Sequence, residues 1–307
     1  MQNTKKLLVA LCATTSLLSL SACGIKKTAT SATAQIMKDA IPSLEEEEDV
    51  GYANQASLAS LKTLEGLHKA NPKDSKILLL LTRSFGAYTF AFTENDILEA
   101  KGNSESVEKL ASDRAKRFYG RGKNYGILLL SKNKTFEKAL NGGSADDFKN
   151  ALQSFGKNDV PALFWTAFNW GSLVNFSKDS PDAIVELPRI EAMMKRVIEL
   201  DETYYYGGPQ MFMGGFYAAK PKMLGGQPEE AKKAFERALE INQGKFLMTK
   251  VAYAQFYAVQ TQDKALFENL LKEVLDADVT ILPAQRLGNE LAKRRADLLL
   301  KKEKLFF

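Results

Sequence analysis

Between Gly226 and Ile241 the chain sets small and aromatic residues at fixed offsets, in the run Gly226-Gln-Pro-Glu-Glu-Ala231-Lys-Lys-Ala-Phe235-Glu-Arg-Ala238-Leu-Glu-Ile241. Pro228, followed by Glu229 and Glu230, reads as a helix first turn, where a missing N–H is harmless and acid suits the dipole. The alanines let a second helix approach closely, and Phe235 fills the space between successive pairs. A helix of this kind cannot bury its apolar face alone. It has to stack on neighbours built the same way.

This spacing is the second half of a tetratricopeptide repeat. In the helix before it, Gly214, Gly215, Ala218 and Ala219 supply small residues, although the usual Trp and Tyr positions are degenerate. A second echo runs through Leu64, Leu67 and Pro72 to Leu78, Leu81 and Phe85, and a weaker third surrounds Met194, Val197 and Asp201. Elsewhere the apolar residues keep helical period. Leu58, Leu61, Leu64 and Leu67 recur every three residues, and Asn71-Pro72 ends that helix. Asp74 or Ser75 caps the next. Pro161 reads as a first-turn proline, and Gly142-Gly143, Gly207-Gly208-Pro209 and Gly225-Gly226 punctuate the chain. Ser43-Leu44-Glu45-Glu46 has the form of a capping box, which puts the acidic run Glu45 to Asp49 in a helix first turn. Residues 176–186, with Ser180-Pro181, read as a loop. No segment has strand period. The expected fold is all-α: a tetratricopeptide-like helical solenoid of antiparallel helix pairs, forming one domain over residues 43–307.

The N-terminus carries an address. Lys5 and Lys6 form a positive region, Leu7 to Leu20 an apolar stretch, and Leu20-Ser21-Ala22 leads into Cys23. The stretch is shorter than the roughly 20 residues that a bilayer-crossing helix needs. Residues 1–22 therefore read as a bacterial lipoprotein signal peptide, and Cys23 as the lipidated residue. Residues 23–42, small and polar after the cysteine, read as the acylated Cys23 and a flexible tether. Gly24, rather than Asp, follows the cysteine, so the expected location is the periplasmic side of a bacterial membrane, with the outer membrane favoured.

Composition excludes several functions. Once Lys5 and Lys6 are removed, 40 basic residues face 37 acidic ones, a balance of +3 that is too mild for nucleic acid. With Cys12 removed and Cys23 acylated, no thiol remains for an internal disulfide. His68 is the single histidine, so zinc sites and Ser–His or Cys–His nucleophiles lack parts. His68 reads as an ordinary residue near a helix end. No carboxylate pair stands out as an acid/base couple, and no catalytic residue, metal or cofactor is expected. Gly120-Arg-Gly122-Lys-Asn-Tyr-Gly126 superficially resembles a phosphate loop, but its third glycine is one position late and no strand precedes it. Lys293-Arg294-Arg295, set among leucines, reads as part of an amphipathic last helix rather than a membrane-surface patch.

Three aromatic groups suit a ligand cavity or interface: Phe164, Trp165, Phe168 and Trp170; Tyr204, Tyr205, Tyr206, Phe212, Phe216 and Tyr217; and Tyr253, Phe256 and Tyr257. The first and third also read as plain core. The second stands apart, because three consecutive tyrosines on a helix cannot all face inward and each hydroxyl wants a partner.

The last third resembles a known family. Gly207-Gly208-Pro209, Gly214-Gly215-Phe216-Tyr217-Ala218-Ala219, Pro221, Gly225-Gly226, Ala231, Lys250, Tyr257, Asp263, the run Leu266 to Leu275, and Asn289 to Ala296 follow its order. This is similar to the T component associated with TRAP transporters (TatT), a family of helical lipoproteins with tetratricopeptide-like repeats. The resemblance implies a non-enzymatic periplasmic accessory that engages the solute-binding P component of a tripartite ATP-independent uptake system. It also implies a homotrimer with clefts that could pass a small, hydrophobic ligand. The alternative from the residues alone is an envelope-assembly scaffold lipoprotein with no ligand cavity.

Overall fold

The computed structural model describes residues 24–177, 180–219 and 226–307, and among these no residue is in a strand. The signal peptide, Cys23, Pro221 and Gly225 lie outside the described residues. The helices are α1 (24–39), α2 (Ile41–Glu45), α3 (Val50–Ala70), α4 (Ser75–Tyr88), α5 (Glu94–Ala100), α6 (Glu105–Leu130), α7 (Lys134–Gly142), α8 (Ala145–Leu152) and α9 (Val160–Asn175). They continue as α10 (Pro181–Ile184), α11 (Leu187–Asp201), α12 (Tyr204–Ala218), α13 (Pro228–Asn242), α14 (Met248–Ala252), α15 (Val259–Thr261), α16 (Lys264–Asp276) and α17 (Arg286–Lys301). Two π-helical stretches, Thr89–Thr93 and Tyr253–Ala258, join α4 to α5 and α14 to α15.

The caps explain most of these boundaries. Asp74 accepts from the backbone N–H of Lys76 and Ile77 at 2.9 and 3.1 Å and starts α4. Pro161 and Pro228 sit in the first turns of α9 and α13. The expected Ser43 capping box is absent: Ser43 lies inside α2, behind Pro42, and Asp49 caps α3 by accepting from Tyr52 N at 3.0 Å. The acidic run therefore starts at the last residue of α2, crosses the α2–α3 connection and ends in a cap. Residues 24–39 are also helical instead of a flexible tether. Alanine favours helix, and the Thr28 and Thr33 hydroxyls each bond the carbonyl four residues back at 3.0 Å.

Consecutive helices pack as pairs, α3 with α4, α12 with α13 and α16 with α17. The repeat signature does what its spacing predicts. Ala231, Phe235 and Ala238 are fully buried, and Phe235 stacks on Tyr253 with ring centroids 4.9 Å apart. A Cβ on Gly214 would come within 2.7 Å of the Phe235 ring, so α12 lies against α13 at a distance only glycine permits. In the second echo Leu64, Leu78, Leu81 and Phe85 are buried and Leu67 is half-buried, with Phe85 packing on Phe118 and Tyr125 of α6.

Two buried apolar clusters result. One joins α3–α5 to α13–α17, and the other joins α6–α9 to α11. The last helix, α17, reaches back to α2, α3 and α5, so the ends of the array meet. Phe90 and Tyr205 pack against both clusters. Among the described residues, no helix is long and apolar enough to cross a membrane.

Candidate ligand site at the tyrosine turn

Tyr205, Tyr206 and Gly207 are not helical. Their φ/ψ pairs are 48°/50°, 59°/38° and 80°/21°, three left-handed residues in succession at the entrance to α12. An L-residue in this region pushes its Cβ toward the next carbonyl oxygen, at roughly 1–2 kcal/mol each. The third position favours glycine, because a side chain at φ 80° is strained and its Cβ would sit 3.3 Å from the Ala238 backbone. Asn242 Nδ2 holds the turn by donating to the Tyr206 carbonyl at 3.1 Å. Backbone strain at a site is paid out elsewhere, and here ring packing offsets it. Tyr205 lies edge-on to Trp165 at 5.3 Å and to Phe246 at 6.0 Å.

The inward-facing restriction holds for a helix, and the left-handed turn removes it. All three tyrosine rings are half-buried and converge on Trp165 and Phe246. Trp165 Nε1 donates to the Tyr204 hydroxyl at 3.1 Å. The Tyr205 hydroxyl donates to Glu45 Oε1 at 3.3 Å, and the same oxygen accepts from Arg83 Nη2 at 2.5 Å. The Arg83 guanidinium lies 5.9 Å from the Trp165 ring centroid and 5.8 Å from that of Tyr205, within cation–π range. Burial, and then the charge of Glu45, push the Tyr205 phenol well above the usual tyrosine range, so it remains a donor.

The other predicted aromatics divide. Trp165, Trp170 and Tyr253 are core, at 3%, 2% and 4% exposure. Lys123 sits over the Trp170 ring at 4.4 Å. Phe212, Phe216 and Tyr217 are half-buried and continue the aromatic row from Phe168, with Phe168 to Phe212 at 6.1 Å and Phe212 to Phe216 at 6.2 Å. Tyr257, also half-buried, packs on Tyr253 at 5.2 Å and lies apart from the turn. A cleft of about 330 Å³ between α11, α12 and α13 is bordered by Lys195, Gln210, Met213, Tyr217 and Arg237. A wider one of about 590 Å³ lies between α1 and the start of α4. Neither is bordered by Tyr204, Tyr205 or Tyr206.

Two sequence features acquire structural roles. Gly120 to Gly126 lies within α6, where Gly122 and Gly126 face Asn169 and Thr166 of α9. These are crossing glycines rather than a phosphate cradle. Arg295 differs from its neighbours Lys293 and Arg294. It is 2% exposed and donates through Nε to Asn95 Oδ1 at 2.7 Å, through Nη2 to the Phe90 carbonyl, and lies 3.6 Å from Glu94 Oε2. The Tyr119 hydroxyl donates to the other Glu94 oxygen at 2.6 Å. Phe90 lies within the π-helical stretch Thr89–Thr93, so Arg295 reaches the backbone at a turn of non-standard register.

Sequence reasoning missed Arg83, Glu45 and Asn169. Arg83 was detectable as a lone charge inside the apolar run Ile77 to Tyr88. Glu45 was hidden within an acidic stretch, and nothing in the sequence marks Asn169 as the residue that ties α4 to α9.

An array of helix pairs with one repeat-type crossing, an aromatic interior turn and an ion pair inside it defines a tetratricopeptide-like helical scaffold. Residues 46–307 match the model of the TRAP transporter T-component family, and the chain belongs to that family. Membership gives it an accessory, transport-associated role. A protein of Treponema pallidum (strain Nichols), described as uncharacterized, is 25% identical over 255 residues, covering 82% of this chain and 78% of its own length.

Proposed function

We propose that this chain is a lipid-anchored, non-enzymatic periplasmic accessory of a TRAP-type transporter, docking the solute-binding P component and relaying a small ligand through its aromatic interior. The family match over residues 46–307 carries the reading. The left-handed tyrosine turn supports its ligand part, since strain of that kind persists where the surroundings over-determine it, often at binding sites. Acylation of Cys23 holds the scaffold at the membrane, with the outer membrane favoured, and assembly as a homotrimer completes it.

The test is capture. The detergent-solubilised lipoprotein, purified with its native lipid, co-purifies with a periplasmic solute-binding protein, and native mass spectrometry shows three copies. Repeated retention of outer-membrane assembly proteins without any solute-binding protein would favour the scaffold reading and sink this one.

A further inference from the structure

We propose that α1 is a rigid stalk that sets the lysine-rich end of the molecule, where α3 meets α4, against an anionic phospholipid surface. This rests on the lipid anchor of the proposed function and adds what the anchor does to the body, which is to fix its orientation.

Cys23 immediately precedes α1, so a helix rather than loose chain links the anchored residue to the domain. Residues 24–29 are all exposed, and contact with the body begins at Thr30 and Ala34, which are 9% and 0% exposed. Ala34 belongs to the same buried cluster as Leu61, Leu64 and Leu81 of α3 and α4. With a rise of roughly 1.5 Å per residue, that free stretch holds the anchored end about 9 Å from the point of contact. Ile25, 69% exposed, lies in this projecting stretch, where the apolar boundary of a bilayer would cover it.

The start of α1 decides which end of the body faces lipid. Lys27 and Ser31 border one cleft with Asn71, Asp74 and Lys76, so the anchored half of α1 lies beside the α3–α4 turn. Lys26, Lys27, Lys69, Lys73 and Lys76 are all exposed, and among the described residues none has a carboxylate at ion-pair distance. The nearby acid, Asp74, is engaged in capping α4. Lys132, also exposed, is pinned to the same turn by donating to the Lys73 carbonyl at 2.6 Å. The opposite end carries the opposite sign. α3 has 21 residues and is therefore about 30 Å long, and at its far end Glu46, Glu48 and Asp49 are exposed. Of these, Glu48 is paired, with Arg286. An anionic surface thus favours the orientation that the stalk imposes and disfavours the inverted one.

The acylated chain, reconstituted into vesicles of phosphatidylglycerol and phosphatidylcholine with nitroxide-bearing headgroups, tests this. Lys73→Cys and Glu46→Cys each place one free thiol for a fluorophore at an exposed position, one at each end of α3. Quenching at the first position should exceed that at the second by about threefold or more, given the length of α3. The difference should shrink at high salt, and in a chain that also carries Lys26→Gln, Lys27→Gln, Lys69→Gln and Lys76→Gln. A difference unchanged by both would overturn the recognition of anionic lipid. Equal quenching at the two positions of an anchored chain, folded by circular dichroism, would overturn the stalk as well. Recovery of the chain in the aqueous phase of a Triton X-114 separation would instead sink the anchor itself, and this proposal with it.

Discussion

A methyl group on Gly122 of α6 would lie 2.1 Å from the Oδ1 of Asn169 on α9. Asn169 is fully buried, and its amide nitrogen donates to the Thr82 carbonyl of α4 at 2.9 Å and to the Trp165 carbonyl at 2.6 Å. One side chain thus ties three helices together at a point where two of them present glycine, Gly86 and Gly122.

The three glycines of one sequence motif should therefore respond differently to alanine. At Gly126 the added Cβ meets Thr166 Oγ1 at 2.1 Å and its Cβ at 2.9 Å, and that hydroxyl is itself bonded to the Ala162 carbonyl at 2.6 Å. Overpacking of this kind costs about 1–3 kcal/mol. Gly126→Ala and Gly122→Ala should lower the urea midpoint, Gly126→Ala more, because a β-branched neighbour cannot swing aside. Gly120 has open space around it, and Gly120→Ala should stabilise the helix by up to about 1 kcal/mol.

Glu94 and Arg295 form the second test. Burial pushes the Glu94 carboxyl upward, and Arg295 and the Tyr119 hydrogen bond pull against it. Removing one partner of a buried ion pair leaves the other charge uncompensated, at about 3–5 kcal/mol. Glu94→Ala should cost that much in equilibrium unfolding. Arg295→Met should cost less, because an uncharged Glu94 can still bond Tyr119. Equal losses would argue against the asymmetry.

The single histidine gives a clean titration. His68 packs edge-on against Tyr125 at 5.0 Å, its Nδ1 has no hydrogen-bond partner among the described residues, and burial lowers its pKa against the opposing pull of Glu65. Its folded-state pKa then lies below the unfolded 6.5, so the unfolded chain binds the proton first. Stability from this group is present above pH 6.5 and lost as pH falls through the folded-state value. NMR of the imidazole should show a midpoint below 6.5, and His68→Phe should remove this part of the stability slope in that window.

Gln243 ends α13 in the left-handed region, with φ 55° and an exposed side chain. Glycine adopts that conformation without the Cβ penalty. Gln243→Gly should raise unfolding stability by about 1 kcal/mol, measured by thermal or urea melting. No gain would mean that Gln243 makes a compensating contact.

The Gly226–Ile241 offsets, the Asp74 cap and the first-turn prolines were legible because each acts within one helix or between adjacent ones. Where the sequence reading failed, the cause was a neighbour that shifts a helix start or, more often, an interaction from far along the chain. Ser43 loses its capping role because Pro42 already lies inside α2. Arg295 leaves the solvent face because Glu94 and Asn95, some 200 residues earlier, offer it ionic partners. The phosphate-like glycines are explained only once α9 lies across α6.

By itself, the sequence determined the all-helical class, the repeat-type pairing of α12 with α13 and the family, since periodicity and small-residue spacing are local quantities. The candidate site was decided by tertiary structure. Three left-handed residues turned a run of tyrosines inward, and the return of the chain on itself set Glu45 against Arg83 and Tyr205. Neither arrangement follows from local preference: tyrosine disfavours positive φ, and an isolated Glu favours water. Only the packing of distant helices makes both the lower free-energy choice.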